Sequence, residues 1–358
     1  MDCSPLNITS FGKALHIKGA TIYRWYRDVL SDYAGDKGKS VHAHDIIRTD
    51  GIKTKQTIRV PILKEGNFGE KMCIDEKHIG EDICTVLSNR ENGKIALLCR
   101  SIVFSDIKEV LSPYTNVLNK VKSITRDFSA LYEKICTEFM PNAMQVGDKF
   151  HVIKNLMEAH QSVRIRYRQK ELEKRKKAHQ EFKRTEQQRL EESERIGERF
   201  KANKFHYKED YLENGETPLE ILSRSRYLLF KYPEQWTSNQ SKRAQVLFRY
   251  YPEIQNAYLL CCQLRNILSK NNIGKHFLEI DKQLHQWYED VEDADIEELL
   301  NFKSMIETNE DIIRNYFEQG ETNALSESIN SKIQKFISSN CGSRDKNFFF
   351  FRLANYYA

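Results

Sequence analysis

At 358 residues the chain has room for two or three domains of about 150 residues each, and with 40% hydrophobic and 11% aromatic residues it can bury a core, which excludes wholesale disorder. A net charge of +5 is too small to establish a nucleic-acid partner, so the distribution of charge carries more information than its sum. No apolar stretch approaches the ~20 residues that cross a bilayer and no signal peptide is visible, so the expected location is cytoplasmic, with no membrane partner.

The N-terminal segment reads as two short helices. Asn7-Ile8-Thr9-Ser10 offers a cap, a first helix runs from Phe11 to Ile17, and Lys18-Gly19 makes a turn. A second helix starts at Ala20, with Ile22, Trp25, Val29 and Leu30 at helical spacing. Residues 1–35 therefore resemble a helix-turn-helix, in which Thr21, Tyr23, Arg24 and Arg27 would touch DNA. A helical hairpin packed on the next domain fits the same pattern. Residues 36–70, with scattered glycines, read as a linker.

From residue 71 the period changes. Met72–Ile79, Ile83–Leu87 and Ile95–Cys99 read as three strands, with Asn89-Arg90-Glu91-Asn92-Gly93 as the turn between the second and third. A helix over Ser105–Leu111 leads to a fourth strand ending at Asp127. A helix from about Ser129 to Phe139 precedes a fifth strand, Ala143–Val146. The order is β-β-β-α-β-α-β, an α/β unit over 71–154. Residues 155–319 lack strand alternation and read as an all-helical insertion, and 320–358 return to the first unit. The eight cysteines form no CxxC pair, so zinc has no spacing support and they read as small buried hydrophobes in a reducing compartment.

Three acids stand out. Asp75 follows three apolar residues within its strand, where an unpaired carboxylate is costly. Asp127 closes a strand at the edge where α/β units commonly bind ligands. Glu327 lies on a helix with the apolar stripe Leu325, Ile329, Ile333 and Phe336, beside a polar line through Asn330 and Gln334. Such carboxylates can gather around hard divalent cations, which take oxygen ligands. Asp148 and His151 are three apart and can hydrogen-bond on one helix face, which would fix the imidazole tautomer; an ordinary N-cap with a packed histidine has the same spacing. Arg164, Arg166, Arg168 and Lys170, followed by Lys174-Arg175-Lys176-Lys177, could track phosphates or form a solvated face paired to nearby glutamates. Phe348–Phe351 with Tyr356 and Tyr357 favour a core or an oligomer contact over base stacking.

The series Cys73-Ile74-Asp75-Glu76-Lys77-His78, Ile124-Thr125-Arg126-Asp127 and Met140–Lys154, with Thr322–Ile333 downstream, resembles the DDE transposases of bacterial insertion sequences, above all the ISL-three group. The resemblance implies an RNase H-like core with a mixed five-stranded sheet, interrupted by the helical insertion and preceded by the small helix-turn-helix. It implies Asp75, Asp127 and Glu327 as catalytic ligands of Mg²⁺ (or Mn²⁺), two ions in all, with Asp148, His151 and Asn330 in support. The acid-x-x-His element is similar to one in Mutator-like and hAT relatives. Implied partners are double-stranded DNA, namely terminal inverted repeats and target, contacted also by Lys332, and further copies of the chain in a homodimer or higher synaptic assembly. Family members usually carry a Cys-rich zinc segment near the N-terminus; Cys3 stands alone here, implying its absence or loss.

Overall fold

The computed structural model describes residues 7–49, 55–274, 277–319, 324–340 and 345–357. Strands β1 (Ile46–Thr49), β2 (Lys55–Ile58), β3 (Ile62–Leu63), β4 (Lys71–Ile79), β5 (Asp82–Asn89), β6 (Ile95–Cys99), β7 (Ser123–Arg126) and β8 (Met144–Gly147) follow two N-terminal helices, α1 (Ile8–Ala14) and α2 (Gly19–Trp25). Helices α3 (Phe104–Leu111) and α4 (Ala130–Phe139) connect the later strands. Then come α5 (Lys149–Ile196), α6 (Pro218–Arg224), α7 (Ser238–Tyr250), α8 (Pro252–Ile267), α9 (Phe277–Ala294), α10 (Glu297–Thr308), α11 (Glu310–Gln319), α12 (Ala324–Ser339) and α13 (Lys346–Tyr357).

The chain divides into two compact units, residues 1–151 with 309–358, and residues 152–308. In the first, six strands form one mixed sheet in the order β3-β6-β5-β4-β7-β8. β4, β5 and β6 are an antiparallel meander, and β7 and β8 add in parallel to β4. The α/β class expected from the sequence is the class observed. Two differences concern residues 36–70, which are not a bare linker. β1 and β2 pair as a small antiparallel sheet, and β3 pairs with β6 through Ile62↔Leu98, so the main sheet has six strands rather than five. Ile62 and Leu63 are both buried, so this strand has no in/out alternation to betray it.

Each sheet face has its own cover. On one, Met72, Ile74, Leu87 and Leu97 pack with Ile107, Val110 and Leu111 of α3 and Tyr132, Ile135 and Phe139 of α4. On the other, Ile79, Cys84, Val86, Ile95 and Leu98 share a core with Ile8, Ile22 and Tyr26 from the N-terminal helices, Ile329, Ile333 and Phe336 of α12, and Phe348, Phe350 and Phe351 of α13. The phenylalanine run is therefore core, and Tyr23, Tyr26 and Tyr33 close on Phe348 at ring distances of 5.7, 5.8 and 4.9 Å. Cys73, Cys84, Cys99, Cys136 and Cys261 are buried thiols outside any disulfide, and burial pushes Cys84 and Cys99 up to about 12; Cys3 and Cys341 lie outside the described residues.

α11, helical in period like the insertion before it, belongs to the sheet-bearing unit. It covers the outer edge of β8, where the Asn315 amide donates to the Gln145 carbonyl at 2.8 Å. The approach at Gly147 is close: a Cβ there would sit 3.3 Å from the Ile312 carbonyl oxygen, so any other residue requires α11 to give by a few tenths of an ångström. The second unit is all helical. Its core holds Leu156, Val163, Ile221, Ile254, Leu264, Leu299 and Trp287, whose indole donates to the Leu260 carbonyl at 2.9 Å.

Candidate active site

The register of the three parallel strands aligns three carboxylates. β4 and β7 pair Lys71↔Ser123, Met72↔Ile124 and Cys73↔Thr125. The same offset carried to the strand ends puts Asp75 level with Asp127, the residue after β7. β7 and β8 pair Ser123↔Met144 through Arg126↔Gly147, and the Asp148 N–H continues the ladder to the Arg126 carbonyl at 2.9 Å. Asp148 thus stands level with Asp127. Side chains alternate along a strand, and residues level in a parallel ladder share a face. Asp75 lies opposite Val86, a member of the core beneath α12, so it belongs to the face on which that helix packs.

Local chemistry separates the three acids. Asp75 is half-buried and one of its oxygens accepts the Glu76 N–H at 2.8 Å. Asp127 accepts the Ser129 N–H at 2.8 Å, which starts α4, and among the described residues its second oxygen takes no hydrogen bond. Burial is the main cause that raises the Asp127 carboxyl above its ordinary value; the Ser129 N–H and the His151 and Arg126 charges oppose it, and Glu76 adds to it. Asp148, 8% exposed, has both oxygens engaged. One accepts the Phe150 N–H at 2.8 Å at the start of α5, and the other faces His151 Nδ1 at 3.2 Å. That hydrogen bond is the largest cause raising the His151 pKa; burial opposes it, and the charges of Asp148, Asp75 and Asp127 support it. One imidazole thus sits in the field of all three carboxylates. Asp148 thus caps the helix and binds the histidine at once.

Two residues that the sequence reading passed over frame this row. Arg126 is buried, donates to Gln145 Oε1 at 2.6 Å and to the Asp127 carbonyl at 2.9 Å, and so fixes the strand end that carries Asp127. Lys77 shares the Asp75 face two residues on; burial lowers its pKa and Asp75 opposes the shift. Strand alternation from Asp75 is the signal that would have found it.

Glu327 falls in the first turn of α12, the helix laid on the Asp75 face; its side chain and that of Asn330 lie outside the described residues. The donors that are described are all oxygen or imidazole, which suits a hard divalent ion. No three of Asp75, Asp127, Asp148 and His151 bring their ligand atoms within 4.8 Å of one another, so the described set is open rather than a closed cage.

The expected DNA contacts divide. Arg24 and Lys332 are exposed and Thr21 is half-buried. Tyr23 packs on Phe348, and Arg27 pairs with Asp28 and with Asp345 at 3.6 Å. Arg164 is buried, donating to Gln161 and to the Leu222 carbonyl at 2.7 Å each. Arg166 bridges Glu253 and Glu298, and Arg168 reaches Ser223 at 3.2 Å. These three arginines hold the second unit together.

A family model described as a transposase, of the ISL-three type, matches residues 72–353, a span that takes in both strand-borne acids, the helical unit and the helix with Glu327. No curated protein and no solved structure matches the chain. With five of the six strands of its sheet, the helical unit and the helix that contains Glu327 in one matched span, the chain belongs to the ISL-three family of transposases.

Proposed function

We propose that the protein is a DDE transposase that cuts DNA at insertion-sequence ends and joins the ends to target DNA, on an RNase H-like core. The observation that carries this reading is the shared level of Asp75 and Asp127 on adjacent parallel strands, on the sheet face that α12, the helix containing Glu327, packs against through Ile329, Ile333 and Phe336. The meander β6-β5-β4 extended in parallel by β7 and β8 supports the core assignment. Asp75, Asp127 and Glu327 would hold Mg²⁺ or Mn²⁺, two ions in all; bound there, the metal supplies a lowered pKa for an attacking water or 3′-OH and offsets charge on the phosphate. The fit rests on the donor set. Asp127 is a partly desolvated carboxylate with a free oxygen beside further acids, an arrangement that a divalent cation would relieve.

The chain's own groups supply positioning. Arg126 and the Ser129 N–H set the Asp127 carboxylate, and the ladder from β4 sets Asp75 against it. Asp148 holds His151 by Nδ1, so a protonated His151 presents positive charge beside the acid row, where a backbone phosphate would lie. Arg24 and Thr21 on α2 and Lys332 on α12 would contact DNA. The full-length protein, incubated with its own flanking repeats and Mg²⁺ or Mn²⁺, should nick the ends and join pre-cut ends to target. Asp75→Asn or Glu327→Gln should abolish cleavage while end binding persists. Cleavage retained by both variants sinks the assignment, and nicking without joined product makes the protein a nuclease.

A further inference from the structure

α5 leaves the core of its unit early. Its last buried side chain is Arg164, and the next buried residue along the chain is Leu212. At 1.5 Å per residue, the helix from Lys170 to Ile196 extends for about 40 Å. Gly197 turns the chain at φ +73°, with the Glu198 N–H bonded back to the Ser193 carbonyl, and residues 198–212 return along the helix without helix or strand. The return is pinned in antiparallel order. Asn203 donates to Glu186 at 2.9 and 3.0 Å, the Phe205 ring lies 5.4 Å from Phe182 and 4.6 Å from His179, and Arg175 sits over Tyr207 and 3.5 Å from Glu209. The result is a polar two-strand arm with no buried residue between positions 165 and 211.

Its charge is not balanced. Residues 174–189 carry seven Lys or Arg against two Glu, and 199–208 carry four against none. The tip differs, with Arg195 against four glutamates over 190–198. A helix face that is merely solvated usually interleaves both signs at three- and four-residue steps. On the shaft the return segment occupies the stripe through Arg175, His179, Phe182, Glu186 and Arg189, which leaves the other side open. There Lys176, Lys177, Lys183 and Arg184 are exposed and make no ion pair among the described residues. Glu186 is already engaged by Arg189 and Asn203. The outward line at 173, 177, 180, 184, 187 and 191 is Glu, Lys, Gln, Arg, Gln, Glu, with no apolar residue on which a second helix could seat.

We infer that this arm grips the phosphate backbone of duplex DNA without reading its sequence, through Lys176, Lys177, Lys183 and Arg184. The inference rests on double-stranded DNA being the partner, as proposed above, and adds a surface on the helical unit that needs no catalytic metal. Salt dependence is the readout, because each neutralised phosphate releases counterions and contributes about −0.9 to the slope of log K against log salt. The full-length protein is titrated, without divalent metal, against a labelled duplex of arbitrary sequence and about 30 base pairs, longer than the ~12 base pairs that the arm can span. Changing Lys176, Lys177, Lys183 and Arg184 to Gln together should flatten the slope by up to about 3.6 and weaken binding by up to about a thousandfold at physiological salt. Changing the exposed Lys55, Lys64, Lys94 and Lys120 to Gln should do neither. An unaltered slope in the arm variant, or an equal loss in the control, overturns the inference. A fall in sedimenting mass with the slope unchanged also overturns it and makes the arm a contact between copies. Asp75→Asn binds with the wild-type slope and does not cleave, so failure of the arm and failure of the catalytic reading are distinguished.

Discussion

His160 makes the helical unit acid-sensitive by an amount that can be worked out. It lies on α5 with 0% exposure, neither ring nitrogen has a hydrogen-bond partner, and its ring packs 6.0 Å from Tyr258. Burial, with the charges of Arg164 and Arg265, lowers its pKa from 6.5 to about 4; a contact with the Ile254 backbone, too poor in geometry to count as a hydrogen bond, opposes the shift. The unfolded chain therefore takes up a proton near pH 6.5 that the folded unit refuses until about pH 4. Stability is lost across that window as pH falls and levels off below it. At 1.36 kcal/mol per pKa unit the loss is about 3 kcal/mol. His160→Leu removes both the titration and an unpaired buried polar group, so at pH 7 it should be as stable as the wild type or better by about 1 kcal/mol. Urea unfolding between pH 7 and 4, followed by Trp236 and Trp287 in a Trp25→Phe background, isolates the unit. Acidic groups such as Glu216 and Glu253, whose pKa values are lowered, add their own acid loss to both proteins, so the difference between the two curves is the quantity to read. A difference that stays flat from pH 6.5 to 4, or a His160→Leu protein several kcal/mol less stable at pH 7, refutes the reasoning.

Asp148→Asn should bring the His151 pKa down towards its ordinary value, seen by NMR titration of the imidazole. A raised histidine pKa stabilises below 6.5 and the gain disappears as pH rises through the folded value, so the variant should lose more stability at pH 6 than at pH 9. Equal losses at the two pH values would mean that the helix cap alone accounts for Asp148. Arg166→Ala, which strands Glu253 and Glu298, should cost about 1–3 kcal/mol in thermal unfolding and leave duplex affinity unchanged. Weaker DNA binding with intact stability would return Arg166 to the DNA-binding surface.

Much of the sheet was legible because its signals are local. Strands β4, β5 and β6 are bounded by Gly80 and by the Asn92-Gly93 turn, and the helices between the later strands keep their period. The acid row could be suspected from Asp75 and Asp127 separately, yet their alignment is a register between strands 52 positions apart, and no local period encodes it. Charge misled in the opposite way. Arg164, Arg166 and Arg168 look like the head of a basic run, but Gln161, Glu253, Glu298 and Ser223 claim them, partners that only the tertiary packing brings together. Lys176 and Lys177, which make no ion pair among the described residues, lie about two turns further on, beyond the last buried side chain of the helix. β3 escaped notice because two buried residues show no alternation, and α11 was grouped with the insertion because its helical period says nothing about which unit it covers.

The division of the sheet-bearing unit between the two ends of the chain has a consequence for biosynthesis. All strands of the main sheet lie before residue 148, whereas α12 and α13, which bury Ile79, Cys84, Val86, Ile95 and Leu98, are translated about 200 residues later. At about 5–20 residues per second, the nascent sheet waits roughly 10–40 s with that face covered only by the N-terminal helices. During that interval the nascent chain exposes apolar side chains that later belong to the core, the kind of surface that favours aggregation. Glu327 is translated about 180 residues after Asp148, so the site proposed here stays incomplete until the helix that carries it has emerged.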